Sequence, residues 1–333
     1  MEKTRSASAI ARANIALIKY WGNHDANLRL PANSSISLTL DGLETKTRVS
    51  FDDSLPADQI HINGVSADEE SRSRVATHLD RIRRLAGISS FAIVESQNNF
   101  PSGAGLASSS SAFAALTLAG VVAAGMQPDR KDLSRIARMG SGSACRSVLG
   151  GYVIWYAAQS DTESFAEQLA PREHWHLVDL IAIVDRQHKH TGSTLGHSLA
   201  DTSPLQPARV SDAARRIEIC RRAILERDFQ ELASVVEQDS NLMHAVMLTS
   251  TPPLMYWTPQ TLEVMRAVYD WRDEGFDVCY TLDAGPNVHC LCTFHHAEEV
   301  KNRLEHIPGI LEILEAHPGE QAQLIEVEGN PSH

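Results

Sequence analysis

Side chains able to move a phosphoryl group fall in four separate segments of this 333-residue chain. The longest is Pro101-Ser102-Gly103-Ala104-Gly105-Leu106-Ala107-Ser108-Ser109-Ser110-Ser111, where small residues run into hydroxyls and then into the apolar Ala112-Phe113-Ala114-Ala115-Leu116. That pattern predicts a loop entering a helix, and the unpaired N–H groups at such a junction favour an anion such as phosphate. No Gly-Lys-Ser/Thr follows the glycines, so this is not the common P-loop. Phosphate charge must then be balanced by Mg²⁺ and by residues from elsewhere. Lys19 sits in a strand-like apolar run from Asn14 to Gly22, and Arg146 in a second Gly/Ser-rich loop from Arg138 to Ser147. Asp283 opens a turn, Asp283-Ala284-Gly285-Pro286-Asn287.

Alone, each segment also has a plain structural reading. A helix can be capped by serine after a glycine turn, and an isolated lysine usually lays its stem on the surface. Asp-Ala-Gly-Pro is ordinarily a tight turn whose acid bonds the local backbone. Together they fit a phosphoryl-transfer site. One loop holds nucleotide phosphates, the other a substrate anion, lysine and arginine balance charge, and the aspartate handles a hydroxyl proton.

The elements that must position these residues are legible from periodicity. Ile36, Leu38 and Leu40 alternate with polar residues, Asp41-Gly42 reads as a turn, and Thr45, Thr47, Val49 and Phe51 alternate beyond it, which predicts a β-hairpin. Helical spacing spans residues 73–86, a short strand follows at 91–94, and a helix runs from Pro128-Asp129 to about Met139. The apolar run 178–184 predicts a buried strand. Beyond it come helices at 211–227, 229–247 and 259–273, a strand–turn–strand over 279–293 and a helix at 297–304. The change from strand-rich to helix-rich sequence puts a domain boundary near 185, giving units 1–185 and 186–333. The mixed order argues α+β rather than a doubly wound sheet.

Composition narrows the classes. A net charge of −12 and a pI near 5.6 argue against nucleic acid or an anionic membrane as the main partner. Five cysteines without a scaffold spacing predict reduced thiols, and Cys290-Leu291-Cys292 has no second pair to complete a zinc site. His188 and His190 have no partner at metal-ligand spacing. The charged Met1-Glu2-Lys3-Thr4-Arg5 lacks the apolar run of a signal peptide, and no stretch reaches membrane-span length, so a cytoplasmic protein is expected.

The run Pro101 to Ser111 resembles the phosphate loop of the GHMP small-molecule kinases. Ile18-Lys19-Tyr20-Trp21-Gly22, Leu30-Pro31-Ala32-Asn33-Ser34-Ser35-Ile36-Ser37, Gly140 to Gly151 and Asp283 to Asn287 resemble one branch, the diphosphomevalonate decarboxylases. The likeness runs from about residue 8 to at least 305. It implies an α+β GHMP kinase fold, with an N-terminal domain like ribosomal protein S5 domain 2 and a ferredoxin-like C-terminal domain. It also implies ATP, Mg²⁺ and a homodimer. The family phosphorylates the tertiary C3 hydroxyl of a mevalonate phosphate; phosphate then leaves, and CO₂ is lost from C1 as a double bond forms.

By that resemblance Asp283 is the acid–base residue at the C3 hydroxyl, Arg146 holds the substrate carboxylate, and Lys19 offsets charge at the transferring phosphoryl. Pro101, Gly103, Ala104, Gly105, Leu106, Ala107, Ser108 and Ser109 would meet ATP, with Ser109 also at the metal. Ser141, Ser143 and Tyr20 would hold the phosphate end of the substrate, and Asn14 would shape the site. The chain departs from the family where Asn23 replaces a lysine, Thr194 an arginine common in bacterial members, and His197 a methionine. All three positions line the substrate's phosphate end. A charge-assisted hydrogen bond is worth about 1.5–3 kcal/mol, so losing two cations favours mevalonate 5-phosphate, giving isopentenyl phosphate. Compensation by Arg186, His188, Lys189 or His197 would restore the 5-diphosphate and isopentenyl diphosphate. A 3-kinase without decarboxylation and a non-catalytic ATP-sensing relative are the remaining alternatives.

Overall fold

Two long antiparallel strands, Arg5–Ile18 and Ser35–Asp52, organise the first half of the computed structural model, which describes residues 5–100, 108–186 and 192–328. Alternate residues of the first strand point into the core. Ala7, Ala9 and Ala11 are small enough for the helix Ser108–Ala123 to pack closely over them. Ala13, Ile15 and Leu17, farther along, enter a second core built with the helices Ala213–Glu226 and Phe229–Thr249. One strand thus runs between the packing of the two halves and ends at Ile18, one residue before Lys19. The helix Ser108–Ala123 is apolar around most of its circumference because it is buried, not amphipathic.

The expected hairpin at Asp41-Gly42 does not form. Ser35–Asp52 is one strand, bent at Gly42, whose φ of +87° suits glycine. Both its halves pair with Arg5–Ile18, and the register slips between Arg12 and Asn14. Arg12 grips Asp41 at 2.7 Å and Glu44 at 3.1 Å across the bend. A single long partner strand has overridden a local turn signal. The first helix begins earlier than periodicity suggested, at Glu69–Ala86, because Asp68 caps it through the Ser71 N–H. The strand after it extends over Phe91–Asn98.

In the second half Leu177–Ile183 pairs antiparallel with Val288–Thr293 and Glu312–Pro318, and Val278–Thr281 completes the group. Helices Pro259–Asp273 and Ala297–Glu305 pack on one face of it around Val178, Tyr280 and Cys290. Leu177–Ile183 lies before residue 185 yet pairs only with strands from beyond it. The last strands return to the first half: His317 and Pro318 pair with Asp41 and Leu40, and Gln323–Glu328 pairs with Arg5–Ile18. All five cysteines are buried and unpaired. Among the described residues no helix is long and apolar enough to cross a membrane.

Candidate active site

Lys19 follows the end of its strand and is buried, its side chain 1% exposed, so the surface reading of an isolated lysine fails. Its Nζ lies 2.7 Å from Asp283 Oδ1. Asp283 reaches it from the turn after Val278–Thr281, where the Gly285 N–H closes onto the Asp283 carbonyl and the Leu282 N–H bonds Ser240. Burial lowers the basicity of Lys19, opposed by Asp283 and Asp239 and reinforced by Arg146. Burial pushes the Asp283 carboxyl up, but Lys19, His289 and Arg146 outweigh it and hold the group below the ordinary carboxylate range. The two groups are at ion-pair distance, the Asp283 side chain 25% exposed against a buried Lys19.

Arg146 comes from the short helix Ala144–Ser147 and is also buried. Its Nη1 donates to Ser35 Oγ at 2.7 Å, and Nη2 and Nε donate to Asn14 Oδ1 at 3.1 and 3.3 Å. Asn14 in turn donates to Ser147 Oγ at 2.8 Å and to the Ser143 carbonyl at 3.3 Å. Asn14 therefore aims the guanidinium and ties it to the Gly/Ser loop. Ser35 does the same from the facing strand, a contact that sequence spacing could not show.

The helix Ser108–Ala123 presents its N-terminus to the same region. Ser111 is turned inward onto Thr45 Oγ1 at 2.7 Å, whereas Ser108 and Ser109 are half-buried. Ser109 Oγ lies 3.4 Å from Ser141 Oγ, which brings the start of this helix to the second Gly/Ser loop. Pro101, Gly103, Ala104, Gly105, Leu106 and Ala107 lie outside the described residues, as do His188, Lys189 and His190. Among the described residues no group of three or more His, Cys, Asp or Glu could hold a metal. A divalent ion here would rest on the Ser109 hydroxyl, phosphate oxygens and water, a donor set that suits Mg²⁺.

The third wall carries Tyr20, whose hydroxyl donates to Asn23 Oδ1 at 2.6 Å. Tyr20 stacks on His197 at 4.1 Å and meets Trp155 edge-on at 4.7 Å. The Gly22 N–H donates to His197 Nδ1 at 3.0 Å. A Cβ at Gly142 would stand 2.5 Å from the Tyr20 ring, so the second Gly/Ser loop needs glycine to approach it. Burial pushes the Tyr20 phenol up to about 12, with Arg29 and the Asn23 bond opposing, so it acts only as a neutral hydroxyl. Thr194 is exposed on the helix Ser193–Leu199, and Arg186 is exposed and paired with Glu312 at 2.9 Å.

A cation acts on this wall from a place no motif marked. Arg29, in the Asn23–Pro31 segment, acts electrostatically on Tyr20, His78, Arg74 and Arg81. Arg74 lies over the Phe113 ring at 5.1 Å, and its buried Nε has no hydrogen-bond partner among the described residues. Arg81 donates to the Met139 carbonyl at 2.8 Å, just before the Gly/Ser loop. Helix periodicity gave Arg74 and Arg81 no special place, and Arg29 sits in an irregular turn with φ +48°.

Comparison with known proteins places this arrangement. Residues 11–166 match the diphosphomevalonate decarboxylase-like N-terminal domain, and residues 179–328 match the mevalonate 5-diphosphate decarboxylase C-terminal domain. The diphosphomevalonate decarboxylase of Ganoderma lucidum is 38% identical over 319 residues, covering 88% of this chain and 80% of that protein. The human diphosphomevalonate decarboxylase is 40% identical over 308 residues, covering 85% and 75%. A solved structure described as MDDEF in complex with MVAPP, AMPPCP and magnesium superposes with a TM-score of 0.92 at 38% identity, over 97% of this chain and 99% of that one. Mevalonate diphosphate decarboxylase from Staphylococcus aureus superposes with a TM-score of 0.91 at 37% identity, over 97% and 98%.

Proposed function

The chain belongs to the diphosphomevalonate decarboxylase family, and from that premise we propose that it converts mevalonate 5-diphosphate to isopentenyl diphosphate with ATP and Mg²⁺. The observation that carries the reading is the buried Lys19–Asp283 pair beside a guanidinium, Arg146, fixed by Asn14 and Ser35. Attack of the C3 oxygen on the γ-phosphorus of ATP releases ADP, and Asp283 takes the hydroxyl proton. The C3–O bond then breaks, phosphate departs with its electron pair, and C3 is left with positive charge. Arg146 holds the C1 carboxylate in place until the C1–C2 pair becomes the C2–C3 double bond and CO₂ leaves. Lys19 offsets charge on the transferring phosphoryl group. Bound Mg²⁺ would neutralise phosphate charge, with Ser109 as its protein contact.

The preference for mevalonate 5-phosphate drawn from Asn23, Thr194 and His197 is corrected in favour of the diphosphate. The relatives and the solved neighbours are named for the diphosphate, and one neighbour is a complex with MVAPP. A physical reason supports the change: the positive charge of Arg29 reaches Tyr20 on the wall from which the family's lysine is missing, and Arg74 and Arg81 lie within electrostatic reach of Arg29. Counting motif cations alone underestimated the positive potential there. In this reading Tyr20, Asn23, Ser141, Ser143 and His197 line the diphosphate, while Thr194 stands at its edge.

Retention of Asp283 and Arg146 argues against a 3-kinase that stops at phosphorylation, and against a non-catalytic relative. The division into 1–185 and 186–333 remains our proposal for the domains, with Leu177–Ile183 pairing across that boundary, and a homodimer is likewise proposed. The reaction is tested by the ratio of CO₂ to ADP formed from mevalonate 5-diphosphate. Equal amounts support decarboxylation, ADP without CO₂ would make the protein a kinase, and neither product would remove it from catalysis.

A further inference from the structure

The side chain of Lys19 faces the reaction, but its backbone is held from behind by Asn33 and by two residues that no motif includes, Asp239 and Arg209. The Lys19 N–H donates to Asp239 Oδ1 at 2.7 Å, and its carbonyl accepts from Arg209 Nη2 at 2.9 Å and Asn33 Nδ2 at 3.0 Å. Arg209 also reaches the Trp21 carbonyl at 3.3 Å and Asn33 Oδ1 at 3.2 Å, so it spans the whole bend leaving the strand. Asp239 is completely buried in the middle of the helix Phe229–Thr249. Arg216 Nε holds its other oxygen at 2.7 Å, and Arg216 Nη2 donates to the Arg209 carbonyl at 2.8 Å. Arg216 Nη1 ends on Asp212 at 2.7 Å.

Such a buried ion pair is poor evidence for stability, since hydrophobic residues of similar volume often do as well. Its placement against both backbone groups of one lysine asks for another explanation. We propose that Asp239, aimed by Arg216, is a positioning residue for Lys19 that fixes its backbone and supplies a standing negative charge behind its ammonium. This rests on the reading of Lys19 and Asp283 given above.

The charge matters because the other counter-ion is consumed. When Asp283 takes the C3 hydroxyl proton it becomes neutral, and the buried ammonium loses its contact partner during the turnover that needs it. Asp239 is fully buried on the far side of the Lys19 backbone and held by Arg216, so it takes no part in that proton transfer. The groups facing Lys19 are Asp283 from the turn, Asp239 and His244 from the helix Phe229–Thr249, Arg146 from the short helix, and Arg209 at the carbonyl. Burial and Arg146 lower the basicity of Lys19, whereas Asp283 and Asp239 raise it. Removing Asp239 takes away a raising influence and leaves Arg209 without its counter-ion, while Arg216 keeps Asp212. Lys19 then loses its proton at lower pH.

The test is the pH dependence of CO₂ release by the full chain and its Asp239→Asn variant, with ATP, Mg²⁺ and mevalonate 5-diphosphate. The proposal expects kcat to fall about tenfold to a hundredfold, with KM little changed, because a small misplacement of a catalytic group is enough. It also expects the alkaline limb of kcat/KM to move to lower pH, and Asp239→Glu to bring that limb back towards wild type. A variant with a lowered Tm but a superimposable profile and kcat would overturn the proposal, leaving Asp239 a purely structural residue. Should Asp239→Asn not fold, Arg216→Lys keeps the charge count and loosens the aim of Asp239. It should lower kcat and leave the alkaline limb in place, and an unchanged kcat would equally overturn the proposal. Wild-type protein that releases no CO₂ from the diphosphate would refute the parent reading instead.

Discussion

On the function proposed above, the reacting end of the site and its phosphate end are built on different principles. At the reacting end Lys19 and Arg146 are buried, and each cation has an oxygen partner within 2.7 Å. Their geometry is set before substrate arrives, which is what preorganised electrostatic catalysis requires. At the phosphate end Tyr20, Asn23, Ser143 and His197 are half-buried, the rings of Tyr20 and His197 stack at 4.1 Å, and Arg74 carries an Nε without a hydrogen-bond partner among the described residues. The contrast explains why the chain departs from its family at Asn23, Thr194 and His197 yet retains Lys19, Arg146 and Asp283. Charge that binds a flexible diphosphate can come from several directions, whereas a base and a carboxylate clamp must sit at fixed points.

Substitutions at the reacting end should therefore cost turnover, and those at the phosphate end should cost affinity. Asp283→Asn has the largest expected effect, a loss of about a hundred- to ten-thousand-fold in kcat with binding of an ATP analogue unchanged. Near-wild-type CO₂ release in that variant would break the comparison at its root. Arg146→Lys keeps the charge and loses the fork to Asn14 and Ser35; kcat should drop roughly a hundredfold, read from initial CO₂ rates.

Arg74→Ala should act the other way, raising KM for mevalonate 5-diphosphate about tenfold to a hundredfold while kcat changes far less. A kcat loss with constant KM would move Arg74 to the reacting end. Asn23→Lys restores the family's cation next to Tyr20 and should lower KM for the diphosphate by about tenfold at most, since Arg29 and Arg74 already supply charge.

The smallest effect concerns stability. His78, beneath the phosphate end, is held down at about 3 by burial, with Arg81 and Arg29 adding to it. His244, behind the reacting end, is also held at about 3 by burial, with Lys19 adding to it. Both have an ordinary value of 6.5, so between 6.5 and about 3 the unfolded chain takes up protons that the folded chain refuses. Stability should be complete above that window and fall as pH drops through it. Urea unfolding should show a shallower decline for His78→Asn and for His244→Asn, and an unchanged slope in either would mean that histidine is not buried neutral.

The sequence made the reacting end legible because its residues sit in short motifs. Lys19, Arg146 and Asp283 were each found beside glycine, serine or an aromatic residue of fixed spacing, and the structure brings Lys19 to Asp283 across 264 positions of chain. Helices with strong periodicity, such as Phe229–Thr249 and Pro259–Asp273, were located within a few residues. The hairpin at Asp41-Gly42 was misread because local turn chemistry carries no information about a partner strand long enough to pair on both sides. Ser35, Asp239, Arg209 and Arg74 were missed for a related reason. Each works through a contact made by tertiary packing, and a buried aspartate in mid-helix leaves no local signature except its own improbability among apolar neighbours.

The most direct test of the central claim is a paired measurement of CO₂ release with ATP and Mg²⁺, with mevalonate 5-diphosphate in one reaction and mevalonate 5-phosphate in the other. The account expects the diphosphate to give the higher kcat/KM, with Arg29 and Arg74 making good the loss of the family's lysine. A higher kcat/KM for the monophosphate would contradict it, and would mean that Asn23 marks a pocket rebuilt for a single phosphate.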